Sequence, residues 1–191
     1  MNYSDKKKVK DIHTHSFPID RKQNIFTCQL DDEFKMNKEL MNTIRKSEYR
    51  YSVGRANTVK AYMTNWRMST EPGFKRLKEI TIGIADTLTK TQYNLKAGAD
   101  ITYDIIDMWG MIYKENDYTI VHDHWPALWS GIYYIKISET LKGGKLYFPE
   151  LKKGIVPKER MLVMFDGYLK HGVEELHGKG ERIVVSFNVT Q

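Results

Sequence analysis

Three histidines and one arginine in the second half of the chain have the types and spacing that can do chemistry. His122 and His124 stand two apart in Val121-His122-Asp123-His124. His171 follows about fifty residues later, and Arg182 comes eleven residues after that. Side chains at i and i+2 leave a strand on the same face, so His122 and His124 can address one point. A third imidazole arriving on another strand can then complete a facial cap on a metal ion, leaving the opposite positions open for reactants. Asp123 is the alternative third ligand, since a carboxylate commonly completes such a cap. Alternation turns it away from His122 unless a bulge intervenes, so His124 stands first. Arg182 can hold an acidic co-substrate, because its planar fork takes a carboxylate through two bonds.

These residues need a frame. From about residue 101 the chain is rich in β-branched and aromatic residues, which predicts strands over Ile101–Tyr113, Tyr118–Val121, Gly131–Ile137, Met161–Phe165 and Arg182–Val189. Asn116-Asp117, Gly143-Gly144, Pro157-Lys158, Asp166-Gly167 and Gly178-Lys179-Gly180 supply the turns between them. Short strands at this spacing indicate an antiparallel jelly roll. Ahead of them, residues 31–50 read as a helix capped by Asp31 or Asp32, with Phe34, Leu40, Met41 and Ile44 near helical spacing. A second helix opens at Glu71-Pro72, with the stripe Phe74, Leu77, Ile80, Ile84 and Leu88. The expected organisation is one domain over residues 1–191: a mixed, helical support to about residue 100, then the jelly-roll core.

The motifs around the histidines go beyond spacing. Ser130-Gly131-Ile132-Tyr133-Tyr134-Ile135, Gly143-Gly144-Lys145-Leu146-Tyr147-Phe148, Met164-Phe165-Asp166, Lys170-His171-Gly172-Val173 and Arg182-Ile183-Val184-Val185-Ser186-Phe187-Asn188 follow in that order. Over about residues 103–191 this resembles the core of the Fe(II)/2-oxoglutarate-dependent oxygenases, in the prolyl-hydroxylase-like branch. The resemblance implies a double-stranded β-helix of cupin-like type. It makes His122 and His171 iron ligands and Arg182 the partner of the distal carboxylate of 2-oxoglutarate. Tyr134 matches a position whose hydroxyl meets the same carboxylate, Tyr113 a second tyrosine of the co-substrate pocket, and Ser186 shares the face of Arg182. The implied reaction uses Fe(II), 2-oxoglutarate and O2 to hydroxylate an unidentified small-molecule, peptide or nucleotide substrate, with succinate and CO2 as co-products. The chain departs from the family at the third ligand, where His124 replaces the usual Asp or Glu; this His-x-His form resembles an uncharacterised subgroup. The rival expectation is a jelly roll that binds metal without catalysis.

Other histidines and aromatics have plainer readings. His13-Thr14-His15 repeats the His-x-His pattern without its surroundings and reads as surface near a first strand; His177, beside Gly178, reads as a loop residue. Trp109 reads as core, while Trp125 and Trp129 can border a substrate mouth. Tyr118 and Phe187 read as packing. The loops expected to set the prime substrate are 114–118, 125–130 and 149–158.

Composition bounds the class. At 41% hydrophobic and 28% charged, 191 residues suffice for a core without staples. Cys28 is the single cysteine, which excludes a disulfide framework and a cysteine zinc site. Met1–Lys10 lacks the apolar run of a signal peptide, and no stretch is apolar enough for a membrane helix, so a cytoplasmic, soluble protein is expected. The net charge of +6 is compatible with nucleic acid, yet the basic residues are dispersed and no local motif supports that partner.

Overall fold

The computed structural model describes residues 10–17, 23–30, 33–50, 58–96 and 100–191. In chain order the elements begin with β1 (Lys10–Phe17), β2 (Gln23–Gln29), α1 (Phe34–Arg50), β3 (Val59–Lys60) and β4 (Tyr62–Met63). Two 3-10 turns, Met68–Thr70 and Pro72–Phe74, lead into α2 (Lys75–Gln92). Then come β5 (Asp104–Tyr113), β6 (Tyr118–His122), β7 (Trp129–Ile137), β8 (Lys142–Gly143) and β9 (Leu146–Phe148). A further 3-10 turn, Pro149–Leu151, precedes β10 (Lys153–Ile155), β11 (Met161–Asp166), β12 (His171–Val173), β13 (Leu176–His177) and β14 (Arg182–Thr190).

A seven-stranded sheet in the order β1-β2-β11-β7-β14-β5-β4 faces a five-stranded sheet in the order β10-β9-β12-β6-β3. All their strand pairs are antiparallel, as a jelly roll requires. The major sheet separates two cores. On its outer face Phe26, Leu162, Met164, Tyr133, Trp129, Ile183, Val185 and Phe187 meet Leu40 and Ile44 of α1 and Leu77, Ile84 and Leu88 of α2. On its inner face Ile25, Val163, Phe165, Ile132, Tyr134, Val184, Trp109 and Met111 meet Leu146, Phe148 and Val173 of the minor sheet. Each fully buried side chain of this size contributes on the order of 1.5–3 kcal/mol.

Both helices follow from their apolar spacing. Met36, Leu40 and Ile44 recur every four residues on α1, and Leu77, Ile84, Ala85 and Leu88 line α2. Phe34 departs from the expectation: it is 67% exposed, with Arg160 stacked on its ring. The expected caps Asp31 and Asp32 lie outside the described residues. Pro72 opens a 3-10 turn rather than the α-helix itself, which starts at Lys75. The first hundred residues supply more than helices, since β1 and β2 extend the major sheet beside β11, and β3 and β4 add an edge strand to each sheet. Trp129 is a core residue rather than a rim residue: it is fully buried, and its indole N–H donates to Thr89 Oγ1 of α2 at 2.9 Å.

Two glycines test this packing in opposite directions. A Cβ at Gly131 would sit 2.4 Å from Phe187 Cζ and 2.5 Å from the Val163 carbonyl oxygen, whereas Gly83, exposed on α2, has open space around it. Gly131→Ala is expected to destabilise the fold by about 1–3 kcal/mol. Gly83→Ala is expected to stabilise it by about 0.5–1 kcal/mol through helix propensity. Chemical denaturation of the two variants checks both signs.

Candidate metal centre

The three histidines predicted from sequence come together. His122 and His171 are cross-strand partners on β6 and β12. A register shift on β6 leaves Ile120 and Val121 both partly exposed and turns Thr119 and His122, three residues apart, to the interior. His124 reaches the same point from beyond the end of β6, so turn geometry rather than strand alternation delivers it. Its backbone N–H donates to the Gly167 carbonyl at 2.8 Å, and its own carbonyl accepts from Ala127 N–H. The turn between β11 and β12 therefore positions two of the rings, since His171 Nδ1 also donates to the Leu169 carbonyl at 2.9 Å. Gly167 has no alternative here: a Cβ would lie 2.1 Å from the Ala127 carbonyl oxygen.

Ring centroids are 4.6 Å apart for His122–His171, 4.8 Å for His122–His124 and 5.1 Å for His124–His171. One nitrogen from each ring lies within 4.8 Å of the others, so the rings can draw inward to bond one ion at about 2.0–2.1 Å. His122 Nδ1 and His171 Nδ1 each donate to the carbonyl two residues earlier, which fixes the tautomer and turns the lone pair of Nε2 inward. Burial lowers the pKa of all three rings, that of His124 to about 4, with the neighbouring rings adding to the effect for His124 and His171. Neutral imidazole is the form that binds metal. Asp123 is exposed and accepts the Trp125 N–H at 3.2 Å, outside the group of converging nitrogens.

The other predicted residues occupy the inner face of the major sheet. Arg182 on β14 is cross-strand to Tyr113 on β5 and is only 2% exposed. Its guanidinium stacks 4.5 Å from the Tyr113 ring centroid and 5.8 Å from that of Tyr134. Nη1 donates to the Gly144 carbonyl at 2.6 Å, while Nε has no partner and no carboxylate among the described residues pairs with the charge. The positive φ of Gly144 places that carbonyl, and a Cβ there would lie 2.5 Å from Nη1. The neighbouring Glu181 is already engaged by Arg45 and Lys136. Tyr134 Oη is buried without a partner, and burial raises its pKa to about 12, so it stays a donor at neutral pH. Tyr113 Oη bonds Thr119 Oγ1 at 2.8 Å; sequence gave no signal for Thr119, because the bulge that turns it inward has no residue signature.

A cleft is lined by the three histidines together with, among others, Tyr113, Ile132, Phe165 and Ser186. Arg182 and Tyr134 stand behind Tyr113 rather than in its wall. His177 is exposed in the short strand β13, and the side chains of His13 and His15 lie outside the described residues.

No protein-family model matches the chain, and no curated protein resembles it at the level of sequence. Solved structures do. The viral collagen prolyl hydroxylase vCPH from Paramecium bursaria Chlorella virus-1, in its 2-oxoglutarate complex, is 19% identical, with a TM-score of 0.57 over 83% of this chain and 92% of that one. A Pseudomonas putida prolyl-4-hydroxylase superposes with a TM-score of 0.63 at 11% identity, covering 83% of this chain and 87% of its own. HygX from Streptomyces hygroscopicus, with nickel and 2-oxoglutarate bound, gives 0.59 at 10% identity, over 86% of this chain and 81% of that one. The chain thus shares the jelly-roll fold of these structures, and its own converging donors are three imidazoles.

The geometry predicts that His122→Ala and His171→Ala each abolish tight metal binding while the fold survives, and that His124→Ala weakens it where Asp123→Ala does not. Metal content of folded protein, measured by elemental analysis, decides; loss in Asp123→Ala alone would reverse the third-ligand assignment. Because burial lowers the pKa of all three rings below the ordinary imidazole value, protons compete with metal less here than at a free histidine. Mn(II) affinity is therefore expected to fall less between pH 8 and 6 than the affinity of free imidazole does, and equilibrium dialysis across that range tests it.

Proposed function

We propose that the protein is an Fe(II)- and 2-oxoglutarate-dependent dioxygenase that hydroxylates a second substrate. The observation that carries this reading is Arg182: a buried guanidinium whose Nε has no partner and which has no carboxylate partner among the described residues, stacked on a tyrosine that lines the same cleft as the histidines. A jelly roll that merely binds metal has no use for a desolvated cation, since burying a charge without a partner costs stability.

His122 and His171 would hold the metal through Nε2, with His124 as third donor. Arg182, through its fork and with the Tyr134 hydroxyl, would hold the distal carboxylate of 2-oxoglutarate and so set how far the keto acid reaches toward the histidines. Tyr113 keeps the guanidinium in place by stacking and is itself anchored on Thr119. Ile132, Phe165 and Val173 keep the walls dry around the reacting groups. When bound, the metal and the keto acid supply the oxidation: one oxygen atom of O2 enters succinate as CO2 leaves, and the other enters a C–H bond as hydroxyl.

Anaerobic titration of Fe(II)-loaded protein with 2-oxoglutarate is expected to raise a visible charge-transfer band; its absence would leave the metal-binding module as the better account. Arg182→Ala is expected to weaken 2-oxoglutarate by roughly 30-fold to several thousandfold, the range for truncating one partner of a buried charged pair of about 2–5 kcal/mol. Tyr134→Phe should show a smaller loss in the same direction, with Mn(II) affinity nearly unchanged in both. Calorimetry with Mn(II) in place of iron reads all three quantities.

A further inference from the structure

The cleft beside the histidines is also lined by Trp109 and Ser186. Along β14, Ser186 follows Arg182 on the same inner face four residues on, a backbone rise of about 13 Å. Its cross-strand partner there is Trp109, as Tyr113 is for Arg182. Trp109 lines the cleft 5.9 Å from the His124 ring, so this level of the barrel lies beside the metal centre.

Two features there call for a ligand. Trp109 is 4% exposed, yet its Nε1–H has no hydrogen-bond partner. A buried unsatisfied donor costs stability with no return inside the protein, whereas the fully buried Trp129 has its indole N–H satisfied by Thr89. Among the described residues, secondly, the cleft wall contains no Asp, Glu, Lys or Arg. Outside it, Trp66 packs on Trp109 at 5.0 Å with a 34° tilt and is 41% exposed, so the aromatic surface runs from His124 through Trp109 to solvent.

We propose that Trp109, with Trp66, is the specificity-determining subsite for the prime substrate, and that it selects an uncharged ring bearing a carbonyl acceptor, such as a cyclic amide. This rests on the oxygenase reading of the same cleft. The Trp109 N–H takes the carbonyl oxygen, the flat frame lies along the indole surface, and a charged group is refused because nothing in the wall pairs with it. Satisfying an acceptor that a competitor lacks is how such a site discriminates.

The test uses the whole protein, ¹⁵N-labelled and loaded with Zn(II), and its four tryptophan indole N–H resonances, assigned by triple-resonance spectroscopy. The probe is 2-pyrrolidinone; the control is protonated pyrrolidine, the same ring carrying charge in place of the carbonyl. A saturable downfield shift of the Trp109 resonance with the lactam, with Trp129 unmoved and no response to the control, is the expected result. Trp109→Phe should then weaken the lactam about tenfold, the ordinary worth of one hydrogen bond, without changing 2-oxoglutarate affinity. The proposal is overturned if the lactam leaves Trp109 unmoved, or if protonated pyrrolidine shifts it equally. It is also overturned if 2-oxoglutarate alone moves that resonance, which would assign the donor to the co-substrate. Calorimetry on the same sample reports 2-oxoglutarate binding separately, so a failure of the oxygenase reading is seen without touching the lactam result.

Discussion

Strict alternation along β14 is the constraint on which the interior depends. Ile183, Val185, Phe187 and Val189 enter the core under the helices, so Arg182, Val184 and Ser186 must enter the space between the sheets. A slip of one residue would carry the guanidinium into the apolar layer beneath α1 and α2, where nothing could offset its desolvation. The helices thus fix the register of the strand, and the register fixes where the cation stands. Bulges adjust the neighbours: β7 and β5 each shift register against β14, near Val184 and Val189, without disturbing its own alternation.

Electrostatically the barrel is divided. Burial keeps three imidazoles neutral at one level, while a permanent cation survives at another by stacking on two tyrosines and donating to the Gly144 carbonyl. The two levels need different partners. Imidazoles without a carboxylate leave a divalent ion with its full charge, which favours anionic ligands at its open positions. The guanidinium favours the same kind of ligand from the other side, so a dianion bridging both levels answers each.

Much of the frame was legible in the sequence. Strands β5, β6, β7, β11 and β14 fall close to the expected stretches, because their apolar residues are β-branched or aromatic and turn residues bound them. The stripe from Leu77 to Leu88 announced α2 as plainly. A first strand near His13 was expected, but β2 was missed, as a stretch that becomes a strand by pairing with β11 and β1. Of the candidate site, His122, His124, His171, Arg182 and Tyr134 carried motif signals. The reason given for His124 was wrong in part: alternation does not bring it in, since the strand has already ended at His122. What does so is a hydrogen bond to Gly167, more than forty residues away, which no local pattern reveals. Trp109 was read as core; it is buried, yet its unsatisfied indole gives it a second face that composition could not disclose.

The turn after β11 has a consequence for assembly. Through the carbonyls of Gly167 and Leu169 it holds His124 and His171, while His122 depends on the pairing of β6 with β12. The three nitrogens therefore meet only after segments distant in the chain have closed on one another, and such non-local pairings form late. An ion that needs all three donors has nothing to bind in a half-formed barrel. An ion captured by these three nitrogens would report completed topology and would act as a latch on the last closure rather than a seed for the first.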